Sequence, residues 1–324
     1  MLRTLAARRR LLFVGGKGGV GKTAVASALA LDQARAGRRV LLVSTDPAHN
    51  LGHLWGRDVG DRRTLLGQAG PGRLAGVEID PDRATAEHLD AVRTTMRRYL
   101  PEHLTGEIDR HLERARDAPG THESALLDRV AETVETSLAE GADDLVVVDT
   151  APSGHTARLM GLPETMSVWT ETLLRRQSRS RRFGAALRGL DEAAEPPDRV
   201  SRDEELHRIL TRRRDRFARL RETLLDEATT AFVVVLVAER VPVLETLELH
   251  AQLERTGVHV GALVVNRRSP ADAGGLLAER HRAEERHLTH LHEAVTDLPV
   301  VQLPLLARDV LGEDGVARLA AHLP

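Results

Sequence analysis

The chain has 324 residues with 46 basic against 48 acidic side chains, enough length for a substantial core and no net field to gather nucleic acid. It contains no cysteine, which removes disulfides, iron-sulfur clusters and every thiolate metal site. The basic stretch Met1 to Arg10 precedes an apolar run, Leu11 to Val14, too short for a signal peptide; no segment approaches a membrane span, so a soluble cytoplasmic protein is expected.

The first expected strand, Leu11 to Gly15, runs into Gly16-Lys17-Gly18-Gly19-Val20-Gly21-Lys22-Thr23, and Ala24 opens a helical run to Leu31. Strand, glycine loop and helix in that order make a phosphate cradle. Glycines let backbone N–H groups turn inward, and the helix N-terminus adds partial positive charge. Lys22 is placed to reach the β and γ phosphates, and the Thr23 hydroxyl to bind Mg2+. Gly16-x-Gly18-x-x-Gly21 also fits a dinucleotide fingerprint, with Asp46 near the spacing for a ribose contact. The pair Lys22-Thr23 decides between them, because a triphosphate with Mg2+ needs a cation and a hydroxyl there and a pyrophosphate does not. Composition agrees: Lys17 and Lys22 are the only lysines, and Asn50 and Asn266 the only asparagines, in a chain that otherwise uses arginine. The extra lysine, Lys17, makes this the deviant form of the loop, and it can act on the triphosphate of a facing subunit as an arginine finger does. Gly37 is the expected C-terminal cap of the helix.

Strand Val40 to Thr45 delivers Asp46 to a carboxyl end, where α/β sheets gather ligands. Asp46 could orient or deprotonate an attacking water, although Asp46-Pro47 also reads as a plain turn. Leu74 to Ile79 is the next strand. Leu145 to Asp149 follows and ends in a second acid, the Walker B position that holds Mg2+ through water. The loop behind it, Thr150 to Thr156, carries Gly154, whose amide could sense a γ phosphate. Phe232 to Ala238, Val260 to Val265 and Val300 to Leu303 complete a mainly parallel, doubly wound α/β sheet of the P-loop NTPase type.

Residues 83–140 and 164–230 are helical and heavily charged. They are expected to form one discontinuous helical subdomain in a single ATPase domain whose core covers about 8–82, 141–163 and 231–324. Pro101, Pro119 and Pro196-Pro197 break or link these helices. Leu89, Val92, Met96 and Tyr99 form one stripe, Leu104, Ile108 and Leu112 another, and Trp169, Leu173, Phe183 and Leu187 a third; such stripes are either core or an apolar groove. The arginine run from Arg175 to Arg182 has few aromatics and an acidic flank, so a solvated helix face is preferred to a nucleic-acid patch. Val316 to Pro324 carries only Arg318 and lacks the basic amphipathic helix of a membrane-surface ATPase.

The glycine loop, Ser44-Thr45-Asp46-Pro47-Ala48-His49-Asn50-Leu51 and Asp149-Thr150-Ala151-Pro152-Ser153-Gly154-His155-Thr156-Ala157-Arg158 together resemble the ArsA family: arsenite-pump ATPases and the Get-pathway ATPases that target tail-anchored membrane proteins. The resemblance takes in Val77 to Pro81, Leu162 to Thr165, Glu239 with Glu245-Thr246, Val264-Val265-Asn266 and Leu303 to Leu306. It implies a Mg-dependent ATPase working as a homodimer, with Asp46 as catalytic carboxylate and Lys17 acting across the interface. Asn50, Glu239, Asn266 as the adenine reader, and the loop from Pro304 through Leu305 and Asp309 to Leu311 are the implied nucleotide contacts. Implied partners are a hydrophobic C-terminal membrane segment or a membrane receptor; the energising subunit of an arsenite or anion pump and a partition-type scaffold are the alternatives. Without cysteine there is no thiolate trio for a metalloid and no C-x-x-C zinc clasp, whose place is taken by Ser269 to Gly275. His281, His287, His290 and His292 follow, and a solvated helix face suits them better than a metal site.

Overall fold

A computed structural model of the chain describes residues 1–46, 50–99, 105–116, 118, 120–139, 141–151 and 197–324. Eight strands form one sheet: β1 (Leu11–Gly15), β2 (Arg39–Ser44), β3 (Thr64–Ala69), β4 (Gly72–Glu78), β5 (Leu145–Asp149), β6 (Thr230–Leu236), β7 (Val260–Arg268) and β8 (Val300–Pro304). Their order is β3-β4-β2-β5-β1-β6-β7-β8, and only the β3–β4 pair is antiparallel. The expected doubly wound parallel sheet is therefore the one observed.

The strands are near-continuous Val and Leu runs because both faces are covered. Alternate residues, among them Leu12, Val14, Val40, Leu42, Val147, Val233 and Val264, join one cluster with α1 (Leu2–Ala7), α2 (Lys22–Arg35) and the C-terminal helix. The residues between them face the other way and are just as buried. There Phe13 and Phe232, paired across β1 and β6, stack with ring centroids 6.2 Å apart. Helix α2 is lined by alanine and leucine on nearly every side, as suits an element sandwiched between sheet and helices. It ends as the sequence leads one to expect. Gly37, at φ +97°, donates to the Ala34 carbonyl, and Arg38 N–H to the Gln33 carbonyl, the paired bonds of a Schellman cap.

Strand β3 has no counterpart in the sequence reading. It forms a hairpin with β4 through Ala69-Gly70-Pro71-Gly72, and its register slips between Leu65 and Gly67. β7 also continues three residues past its expected end, to Arg268, which pairs with Pro304.

The remaining helices are α3 (Asn50–Trp55), α4 (Pro81–Tyr99), α5 (Thr105–Arg116), α6 (Thr121–Val134) with a π-helical turn at Glu135–Ala139, α7 (Pro197–Leu225), α8 (Arg240–Arg255), α9 (Gly275–Ala294) and α10 (Gly312–Ala320). None of the described helices is long and apolar enough to cross a membrane.

The chain divides into two compact units. One holds Met1–Asp80, Thr133–Met160 and Thr223–Pro324, and with them the sheet; the other holds Pro81–Glu132 and Gly161–Glu222. Within the second unit Leu89 and Val92 of α4 pack against Leu112 and Ala115 of α5, so two of the apolar stripes meet each other. Asp128 of α6 is held there by Arg213 and Arg216 of α7 and His88 of α4. The third stripe, Trp169 to Leu187, and the arginine run lie outside the described residues, as do Leu104 and the side chains of Met96, Tyr99 and Ile108.

Candidate functional site

Parallel pairing puts the carboxyl ends of β1, β2 and β5 on one edge, with Asp149 level with Val14 on one side and Ser44 on the other. The loop out of β1 depends on glycine at two points. Gly16 sits at φ +141°, and a Cβ there would lie 2.1 Å from the Val235 carbonyl oxygen; Gly21 sits at φ +92°, and a Cβ would lie 2.4 Å from the Asn266 amide nitrogen. Fixed backbone excludes a larger residue at Gly16, and a side chain at Gly21 would both strain the turn and displace the Asn266 amide. Thr150 seals the inner side, its N–H and hydroxyl both donating to the Val14 carbonyl.

Lys22 is only 5% exposed, and its Nζ donates to the Lys17 carbonyl at 3.0 Å, folding the loop back over the lysine stem. Burial lowers the Lys22 pKa, against the pull of Asp149 and Asp46. Thr23 Oγ1 donates to Asp149 Oδ2 at 2.6 Å. Asp149 is fully buried, which pushes its carboxyl up to about 7; the Thr23 bond and the Lys22 charge oppose that rise, and Asp46 and Glu78 add to it. Its other oxygen, Oδ1, is buried with no hydrogen-bond partner. A buried carboxylate oxygen left unpaired beside a threonine hydroxyl is a costly arrangement for a protein alone and suits a small divalent cation. Thr23 and Asp149 therefore fit Mg2+.

Asp46 is half-buried on the same rim, and its Oδ2 accepts from Asn50 Nδ2 at 3.1 Å. Behind them Glu78, 3% exposed, accepts the Leu51 and Gly52 N–H groups through its two carboxylate oxygens and so fixes the start of α3. Sequence reasoning gave Glu78 no role; a lone acid near a strand end carries no signal until its partner helix is known.

A cavity of about 790 Å3 opens over these groups. Gly19, Gly21, Lys22, Thr23, Ala24, Asp46, Asn50, Asn266, Pro304, Leu305 and Asp309, all expected from the sequence, line it. So do Arg308, within the loop expected from Pro304 to Leu311, and Arg267 and Arg280, which were not expected. Gly16, Lys17, Gly18 and Val20 belong to the same loop without lining the cavity. Lys17 Nζ is ion-paired with Glu245 of α8 at 2.7 Å, and Glu245 Oε2 is buried without a partner. Glu239 is also set back: its Oε1 accepts from Arg280 Nη2 at 3.1 Å, and Arg280 reaches the cavity in its place. Gly154 and Pro47 to His49 lie outside the described residues.

Beyond the cavity, a buried network ties β7 to α9. Glu284 accepts from Arg268 at 2.5 Å, from the Ser269 N–H and hydroxyl, and from Arg280. His281 and His292 each place Nδ1 2.7 Å from a backbone carbonyl, those of Ser269 and Leu288.

The profile of the family described as anion-transporting ATPase matches residues 9–324. A putative arsenical pump-driving ATPase 2 from Aquifex aeolicus is 28% identical over 316 residues, 97% of this chain and 99% of that protein. ATPase GET3 from Pyricularia oryzae is 29% identical over 318 residues, covering 97% and 90%. ATPase ASNA1 homolog 1 from Paramecium tetraurelia is 28% identical over 313 residues, covering 96% and 91%.

Proposed function

The chain belongs to the anion-transporting ATPase family, and from that premise we propose that it works as a Mg-dependent homodimeric nucleotide switch that captures hydrophobic C-terminal segments of membrane proteins. ATP hydrolysis itself follows from the family. The observation that carries the mechanism is the Thr23–Asp149 contact, with one carboxylate oxygen left bare and Lys22 buried beside it.

In this reading the Lys22 ammonium holds the β and γ phosphates, and Thr23 and Asp149 hold Mg2+, which when bound neutralises charge developing on the phosphate oxygens. Asp46, at the cavity wall, orients the attacking water or takes its proton, and Asn50 keeps its carboxylate in register. Lys17 faces away from the cavity of its own chain, on Glu245, which supports an action in the site of a second copy. The cavity wall from Pro304 to Leu311 would seat the base.

The resemblance and the composition together favour a membrane-protein client over a metalloid. A chain without cysteine offers no thiolate for arsenite, which counts against the pump reading even though one relative carries that name. Leu89, Val92 and Leu112 are already engaged with one another, so they are poor candidates for a groove lining. The test is co-expression of the Asp46→Asn variant, loaded with Mg-ATP, with a protein ending in a hydrophobic membrane segment. Co-elution on size exclusion, absent without nucleotide, is expected. No co-elution with any such segment, while a known targeting ATPase succeeds in parallel, would leave the ATPase without this client.

A further inference from the structure

Asn266 and Arg267, at the far end of β7, line the cavity wall and reach across to the phosphate loop. Asn266 Nδ2 donates to the Val20 carbonyl at 2.9 Å, and Arg267 Nη1 donates to the Gly19 carbonyl at 3.1 Å. Two consecutive loop carbonyls are thus drawn to one strand end. The Asn266 amide has no second choice of orientation, because its Oδ1 accepts the Arg267 N–H at 3.0 Å and only Nδ2 is left to face the loop. Asn266 is 5% exposed. Arg267 holds φ at +57°, the only positive value of a non-glycine residue among those described. A left-handed arginine carries strain that its surroundings must enforce, and such strain gathers at working sites.

A trans peptide points its N–H opposite to its C=O. Fixing the Val20 carbonyl on Asn266 therefore turns the Gly21 N–H the other way. That group and the N–H groups of Lys22, Thr23 and Ala24 have no acceptor among the described residues. They are the donors an anion would meet at this helix start. We infer that Asn266, assisted by Arg267, is a positioning residue of the phosphate loop, which sets these donors before nucleotide arrives. The resemblance assigns Asn266 to the base; the bonds it makes place its amide on the loop. This inference rests on reading the cavity as a Mg-ATP site.

A probe without a base separates the two roles. Calorimetry with Mg-ATP and with Mg-tripolyphosphate is run on the parent protein, Asn266→Ala, Arg267→Ala and Lys22→Ala. Loss of a hydrogen bond to a buried carbonyl corresponds to about a tenfold change in affinity. Asn266→Ala is expected to weaken both probes by about that factor, leaving their ratio unchanged; Arg267→Ala, losing the more exposed bond, weakens both by less. Should Asn266→Ala not fold, Arg267→Ala carries the same comparison. Weakening of Mg-ATP alone, with tripolyphosphate untouched, would return Asn266 to the base and overturn the inference, as would no effect on either probe. Mg-ATP affinity that survives Lys22→Ala would instead overturn the site reading beneath it.

Discussion

Replacing Asp149 with asparagine is expected to stabilise the nucleotide-free protein at pH 8 while ending its ATPase activity. Burial raises the Asp149 carboxyl from 3.8 to about 7. The folded protein thus keeps a proton that the unfolded chain has already lost, so the stability linked to this group is present below about 4 and is lost as pH rises to about 7. At 1.36 kcal/mol per pKa unit, the ionised carboxylate weakens the free protein by on the order of 4 kcal/mol. Asparagine carries no charge and still accepts the Thr23 hydroxyl, but it puts an unpartnered N–H group where Oδ1 lies, at about 1–3 kcal/mol. The net gain at pH 8 is about 1–3 kcal/mol, or about 2–5 °C in melting temperature for a chain of this length. At pH 4 to 5 the gain vanishes or reverses. Scanning calorimetry in magnesium- and nucleotide-free buffer across pH 5–8 reads this directly. A variant less stable than the parent at pH 8, or a difference independent of pH, would refute the assignment of Asp149 as a carboxylate buried to receive a cation.

Lys22→Ala should abolish ATP binding, whereas Lys17→Ala should leave binding intact and cut turnover by roughly a thousandfold; calorimetry paired with phosphate release distinguishes them. Asp46→Asn should bind Mg-ATP and hydrolyse it roughly a hundredfold or more slowly, and parental turnover would assign the water to another group. Arsenite, antimonite and zinc chelators should leave the ATPase rate unchanged, since the chain has no thiolate; several-fold stimulation by arsenite at constant ATP would restore the pump reading.

The glycine-loop half of the candidate site was legible because it is written in consecutive residues. Gly16 to Thr23 need only a strand before and a helix after to become a cradle, and Asp46 and Asp149 each follow directly on a buried strand. The other half was not. Arg267 and Arg280 line the cavity only because β7 and α9 are folded beside a loop some 250 residues earlier, and in the sequence they are two among many arginines. Lys17 was legible as special, but its partner Glu245 was known only through a resemblance and its contact through the fold. β3 escaped notice because Gly67 and Gln68 interrupt its alternation and a bulge shifts its register, so no period-2 pattern survives. The apolar stripe of α4 left core and groove undecided, since helical spacing is the same in both; contact with α5 shows part of it to be core.

The strand order also constrains how the protein is made. β1 is synthesised well before its hydrogen-bonding neighbours β5 and β6, which begin at Leu145 and Thr230. Five wholly buried residues must wait for more than two hundred others to leave the ribosome. On the inference above the phosphate loop waits longer still, because the amide that orients it, that of Asn266, is encoded after β6. Until then a nascent chain carries a complete Walker sequence that is expected to be blind to nucleotide, with an apolar strand in need of shelter. Ribosome-stalled chains ending before Asn266 should gain no protease protection from Mg-ATP, and protection at that length would show that the loop can be set without its distant partner.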